Sequence, residues 1–166
     1  MALGGNEMPG YHTGPGAHLG ALIGARHSHL DNAGYSVDQK TLANKRLSPQ
    51  QLVDTLLAEE RWRQILSSLV ICFFARGIYQ PELVARALAA AGWEVTAEEL
   101  VRIGQAIHQE KYRFKLREGF TPENLRIPKR IFETRSLVAD WDESYLREAL
   151  GLLRAAVFNG AIDEKA

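Results

Sequence analysis

The sequence of 166 residues predicts an all-α protein of about five helices. Two capping boxes, Ser48-Pro49-Gln50-Gln51 and Thr96-Ala97-Glu98-Glu99, each open a run of apolar residues at helical spacing. Proline and glycine fall where helices start and stop. No run alternates convincingly at period two, so strands are not expected. The chain is read as a single helical domain over 1–166, with a Gly/His-rich segment over 1–46 and a helical body over 47–160.

The first segment has its own grammar. It holds His12, His18, His27 and His29, four of the five histidines. Gly14-Pro15-Gly16 breaks regular structure, since glycine opens positive φ and proline removes a donor. Ala17 to Ala25 is small and apolar and reads as a short buried helix. Glycines inside it cost about 1 kcal/mol each against alanine, so close packing against a neighbour is expected. Ser28 to Arg46 reads mostly as loop.

The body then unfolds helix by helix. After Ser48, Leu52, Leu56, Trp62, Leu66, Leu69 and Phe73 recur at helical spacing, with Glu59, Glu60, Arg61 and Arg63 expected outside. Ile65 to Phe74 is apolar nearly all round, which predicts burial in a larger assembly, and Gly77 is expected to end the helix. Pro81 opens a second helix with Leu83, Val84, Ala87, Leu88 and Ala91 inward, closed by Gly92. Leu100, Ile103, Ile107 and Phe114 line the helix after Thr96, which Gly119 ends. Pro122 and Pro128 mark residues 120–141 as an extended loop with at most a short helical turn. Asp142 caps a last helix with Leu146, Leu150, Leu153 and Val157 on one face, stopped by Asn159-Gly160.

Composition narrows the function. Lys+Arg and Asp+Glu both total 20, so the net charge is zero, unlike the basic excess of most nucleic-acid binders. The longest apolar stretch, Leu69 to Ala75, is far short of the roughly 20 residues a membrane span needs. The N-terminus lacks the cationic and apolar regions of a signal peptide, so a cytoplasmic location is expected. A lone cysteine, Cys72, excludes an internal disulfide framework and a self-contained zinc ribbon.

Each candidate for chemistry has a plainer alternative. His27-x-His29 can bind metal or move protons, but a single pair lacks the further ligands zinc needs. Ordinary loop hydrogen bonding is the favoured reading for it. Cys72 on an apolar run suits a small buried hydrophobe, or one thiolate of a cluster completed elsewhere. Lys111 to Arg117 interleaves basic and aromatic residues, and the favoured reading is a solvated helix face. No P-loop, dinucleotide fingerprint or nucleophile elbow is present.

Three segments together resemble one family. Pro9-Gly10-Tyr11-His12-Thr13-Gly14-Pro15-Gly16, leading to Gly24-Ala25-Arg26-His27-Ser28-His29-Leu30, is similar to the start of the C-terminal third of aldehyde:ferredoxin oxidoreductases. Ser67-Ser68-Leu69-Val70-Ile71-Cys72-Phe73 sits where that family has an aspartate-led segment ending in a cluster-ligating cysteine. Arg117-Glu118-Gly119-Phe120 and the later Pro128-Lys129-Arg130 resemble its closing pattern. The resemblance covers about residues 5 to 157.

The resemblance implies a helical C-terminal domain of a larger enzyme that oxidises aldehydes to carboxylic acids. It implies a tungsten or molybdenum bis-pterin and a four-iron–four-sulfur cluster in the complete enzyme, with ferredoxin as electron acceptor. It implies that Cys72 is the fourth cluster ligand and His29 the active-site histidine, with His27 one register step away. Ser67 and Ile71 fall in the pterin-contacting segment. Ser67 replaces the family aspartate, and Val70 replaces the usual glycine two residues before the cysteine. The chain alone is expected to bind no cofactor and to be inactive without its partner domains. The rival expectation is a non-enzymatic helical interaction module.

Overall fold

The computed structural model describes residues 2–3, 6–7, 10–42, 47–136 and 140–162. Seven α-helices occur among them. Five have nine residues or more: α1 Pro15–Ile23, α3 Pro49–Ser68, α4 Pro81–Ala90, α5 Ala97–Arg117 and α7 Glu143–Ile162. Two are single turns, α2 Gly34–Val37 and α6 Arg130–Glu133. The all-α expectation holds. The only strand pairing among the described residues is β1 Ala2–Leu3 against β2 Asn6–Glu7, antiparallel.

Local sequence sets the helix starts. Both capping boxes form, with Gln51 N donating to Ser48 Oγ and Glu99 N to Thr96 Oγ1. Tyr145 N donates to Asp142 Oδ1 at 2.8 Å, the expected cap of α7. That helix continues past Asn159-Gly160 to Ile162, so these two residues do not stop it. The stretch expected to be loop after Ser28 is not all loop: α2 and a π-helical turn, Asp38–Leu42, lie in it. Residues 43–46 of that expectation lie outside the described residues.

Three helices form the main layer: α3 packs on α5 and α7, and α5 on α7. Leu52, Val53 and Leu56 of α3 join Tyr112 of α5 and Leu146, Ala149 and Leu153 of α7 in the larger core. α1 lies against α7 and α2, entirely buried, as its small residues require. A Cβ at Gly34 would lie 2.1 Å from the Gly16 carbonyl oxygen, which is the close packing anticipated for this segment. A second core joins Ile65, Val84 and Leu100, with Trp62, Leu88 and Ile107 against it.

Three expected faces turn differently. In α4 only Val84 is buried, while Ala87 and Ala91 are exposed. In α5 the buried face is Leu100, Gly104, His108 and Tyr112, and Ile103 and Phe114 are exposed. The small Gly104 lets α5 come close to the Arg61 carbonyl of α3, which rotates the inward face toward His108. Glu60 and Arg63, expected outside, are 5% and 3% exposed.

Candidate functional site

The site is built over the middle of α3. The loop after α1 carries His27 and His29, and a buried polar network fastens it from beneath. Arg63 Nη1 donates to the Leu30 carbonyl at 2.6 Å and the Asn32 carbonyl at 3.2 Å. Its Nη2 donates to Ser36 Oγ at 2.5 Å. Glu60 Oε1 accepts from Ala33 N–H at 3.3 Å, and Glu60 Oε2 pairs with His108 Nε2 at 3.0 Å. Lys115 Nζ donates to the Gly24 carbonyl at 2.8 Å. A loop has backbone groups that no helix ladder satisfies, and these side chains satisfy them. Burial pushes the Arg63 guanidinium below its ordinary pKa, while Glu59 beside it, 3.6 Å away, favours the charged form.

On this support His29 lies half-buried at the end of an aromatic row, with Tyr11 between it and Tyr35. Its ring centroid is 4.7 Å from that of Tyr11 and 6.2 Å from that of Tyr35, and the two tyrosines are 4.6 Å apart. A pocket opens there, lined by Tyr11, Ala17, Ala21, His27, His29 and Tyr35 among others. His27 is exposed at its rim. The structure therefore brings His27 and His29 to one pocket, and it does not add His12 or His18 to them.

Those two histidines form a separate pair. His12 Nε2 lies 2.6 Å from the Thr134 carbonyl, which can only accept, so this nitrogen carries the proton. The other ring nitrogen, His12 Nδ1, pairs with His18 Nε2, 2.9 Å away. His18 is fully buried against Trp141, and burial, aided by His12, pushes its pKa down to about 4. Beside this pair Asp38 caps α1. Its carboxylate accepts from Gly16 N–H at 2.9 Å, Ala17 N–H at 2.8 Å and Thr13 Oγ1 at 3.1 Å. Desolvation raises its pKa to about 7 against the pull of these donors.

Cys72 sits beyond the other end of α3. The expected helix to Gly77 is not formed, because α3 ends at Ser68 in a Schellman motif. Ile71 N–H donates to the Leu66 carbonyl at 2.9 Å and Val70 N–H to the Ser67 carbonyl at 3.1 Å. Val70 holds the left-handed position at φ 58°. α4 and α5 end in the same motif with Gly92 at φ 85° and Gly119 at φ 90°. Ser67 and Ile71 are thus two of the four residues whose backbone groups shape this stop, and both are half-buried. The chain then turns outward. Cys72 is exposed, not buried as its apolar surroundings suggested, and its thiol is free. Val70 is 90% and Phe74 89% exposed on either side of it.

Arg63 links the two places. Its guanidinium carbon lies 6.0 Å from the centroid of the Phe73 ring, the residue after Cys72, while its nitrogens hold the carbonyls after His29. Nothing in the sequence marked Arg63, Glu60, His108 or Asp38 as part of the site. The one available signal was a charged residue, Arg63, falling in step with Leu52, Leu56 and Leu66 on the packed side of α3.

Among the described residues no group of three or more His, Cys, Asp or Glu can hold a metal ion. An exposed free thiol suits a single ligand to a cluster whose other ligands come from elsewhere, so the residues present fit a shared cluster. No described helix is long and apolar enough to cross a membrane. Neither a curated protein nor a solved structure gives a significant match to the chain. The family model described as aldehyde ferredoxin oxidoreductase, domains 2 and 3, matches residues 1–150. With its all-helical fold and this match over most of its length, the chain belongs to the aldehyde ferredoxin oxidoreductase family as a C-terminal domain.

Proposed function

We propose that this chain completes a tungsten- or molybdenum-pterin oxidoreductase by supplying Cys72 to a four-iron–four-sulfur cluster and His29 to the active site. The observation that carries the reading is the exposed free thiol of Cys72, set immediately after the Schellman stop of α3. A thiolate must leave its own core to reach iron held by another domain, and this stop turns it outward. The apolar surface beside it, Val70, Phe74 and Ile78, is the kind that a neighbouring domain covers. The remaining pterin- and cluster-binding domains are the partners, and ferredoxin is the electron acceptor.

In the complete enzyme the pterin-bound metal supplies two-electron oxidation of an aldehyde to a carboxylic acid. This chain's residues orient and protonate. His29 exchanges a proton with the reacting group at a ring nitrogen. Tyr11 and Tyr35 fix its ring and exclude water from one side. Arg63 and Glu60 hold the backbone that carries it. Ser67 and Ile71, at the stop of α3 before Cys72, would be the residues that meet the pterin in the complete enzyme. Serine is shorter than the family aspartate and uncharged, so its contact with the pterin is weaker. By itself the chain carries no turnover.

The test is His29→Ala in the assembled enzyme. Turnover falls by about 100-fold, the usual scale for loss of a positioned acid or base, while iron and pterin contents stay unchanged. Turnover unchanged in both His29→Ala and His27→Ala overturns the assignment.

A further inference from the structure

Lys115 presents a feature that the proposed reaction does not use. Its ammonium is half-buried, donates to the Gly24 carbonyl at 2.8 Å and lies 4.0 Å from the centroid of the Phe120 ring. A carbonyl and a ring face carry only partial negative charge. No carboxylate lies within ion-pair distance of this ammonium among the described residues. Desolvation lowers its pKa to about 8, so it is still mostly protonated at neutral pH. A cation partly removed from water without an opposite charge is unfavourable unless something else neutralises it.

The ammonium opens onto a cleft lined by Ala21, Ala25, His27, Phe114, Lys115 and Phe120, with Glu118 also at its wall. Ala21 and His27 line the pocket beside His29 as well, so the two spaces share a wall. We propose that this cleft binds a monocarboxylate with an apolar body, Lys115 Nζ being its counter-charge and Phe114 and Phe120 its apolar walls. The charge pattern selects the class. One ammonium faces one anionic charge; Arg117, stacked on Phe114, is offset by Glu118, which accepts from its Nε at 3.4 Å, so the wall supplies no second net positive charge for a polyanion. A phosphate needs several converging donors, whereas here the walls are mainly apolar. His27 offers a second polar contact. The identity of the ligand as the reaction's own carboxylic acid rests on the proposed function, but the binding itself does not.

The chain as it stands is titrated with sodium benzoate, sodium acetate and inorganic phosphate, and amide resonances are followed by nuclear magnetic resonance. Benzoate shifts the amides of Gly24, Ala25 and Phe120 in a saturable way. Acetate acts at the same amides at least fivefold more weakly, because it has no ring to place on the phenylalanines. Phosphate gives no saturable shift. Raising the pH above about 8 weakens benzoate binding, since the amine loses its charge. Lys115→Met, with its fold checked by circular dichroism, weakens benzoate at least tenfold. Glu118→Gln, an exposed position, tightens it at least twofold and decides the matter should Lys115→Met unfold. Absence of a saturable benzoate shift, an unaltered midpoint in either variant, or phosphate matching benzoate overturns the proposal. Cluster ligation by Cys72 is read separately as iron content. Benzoate binding with no iron dependence on Cys72 therefore leaves the cleft standing and removes the proposed function, and the reverse result does the opposite.

Discussion

Val70 ends α3 with a positive φ of 58°. It occupies the left-handed position of a helix stop that glycine fills at the ends of α4 and α5. For a β-branched residue that conformation is strained by roughly 1–2 kcal/mol. Val70→Gly is therefore expected to stabilise the chain, less the extra chain entropy that glycine loses on folding. Urea denaturation reads the gain, and a loss of stability would contradict the strained geometry. Arg63 shows the opposite case. Arg63→Met removes three hydrogen bonds from the His29 loop and is expected to cost about 3 kcal/mol. Asp38 adds a pH signature. Its folded pKa of about 7 exceeds its unfolded value of 3.8, so the folded state binds more protons between these values. Its contribution is fully present below about pH 4 and is lost as pH rises through about 7. The stability difference between wild type and Asp38→Asn accordingly shrinks over that window. A difference that grows with pH would mean that the hydrogen bonds from Gly16, Ala17 and Thr13 outweigh burial.

At the scale of elements, the features legible in the sequence were those written within four residues. Both capping boxes and the Asp142 cap formed where their residues stood. Ser48→Ala and Thr96→Ala are each expected to cost about 1 kcal/mol, measured by thermal unfolding. The end of α3 was not legible, because the residue in its left-handed position is valine and gives no glycine signal. Nor was the burial of Glu60 and Arg63. Their partners, Ala33, His108, Leu30 and Asn32, lie 27 to 48 residues away in sequence, beyond any local pattern. The α5 face turned for a similar reason. Gly104 approaches the Arg61 carbonyl, and a Cβ there would lie 2.4 Å from that oxygen. Gly104→Ala is expected to destabilise the α3–α5 contact by about 1–3 kcal/mol despite alanine's better helix propensity. A neutral or stabilising effect would show that the two helices can separate at no cost.

For the whole molecule, α3 is the beam that joins the histidine loop to Cys72. Its middle fastens the histidine loop through Glu60 and Arg63, and its end turns Cys72 outward. The family's ordered motifs were visible in the sequence, whereas the mechanical link between them was not, since it passes through Arg63 and the Phe73 ring. The most direct measurement is electron paramagnetic resonance of the reduced enzyme assembled with its pterin- and cluster-binding domains, with iron assayed on the same sample. Cys72→Ala is expected to fold, because an exposed side chain contributes little packing, and to lose iron together with the reduced four-iron signal. A Cys72→Ala enzyme with wild-type iron content and an unchanged signal would contradict the claim that this chain ligates the cluster.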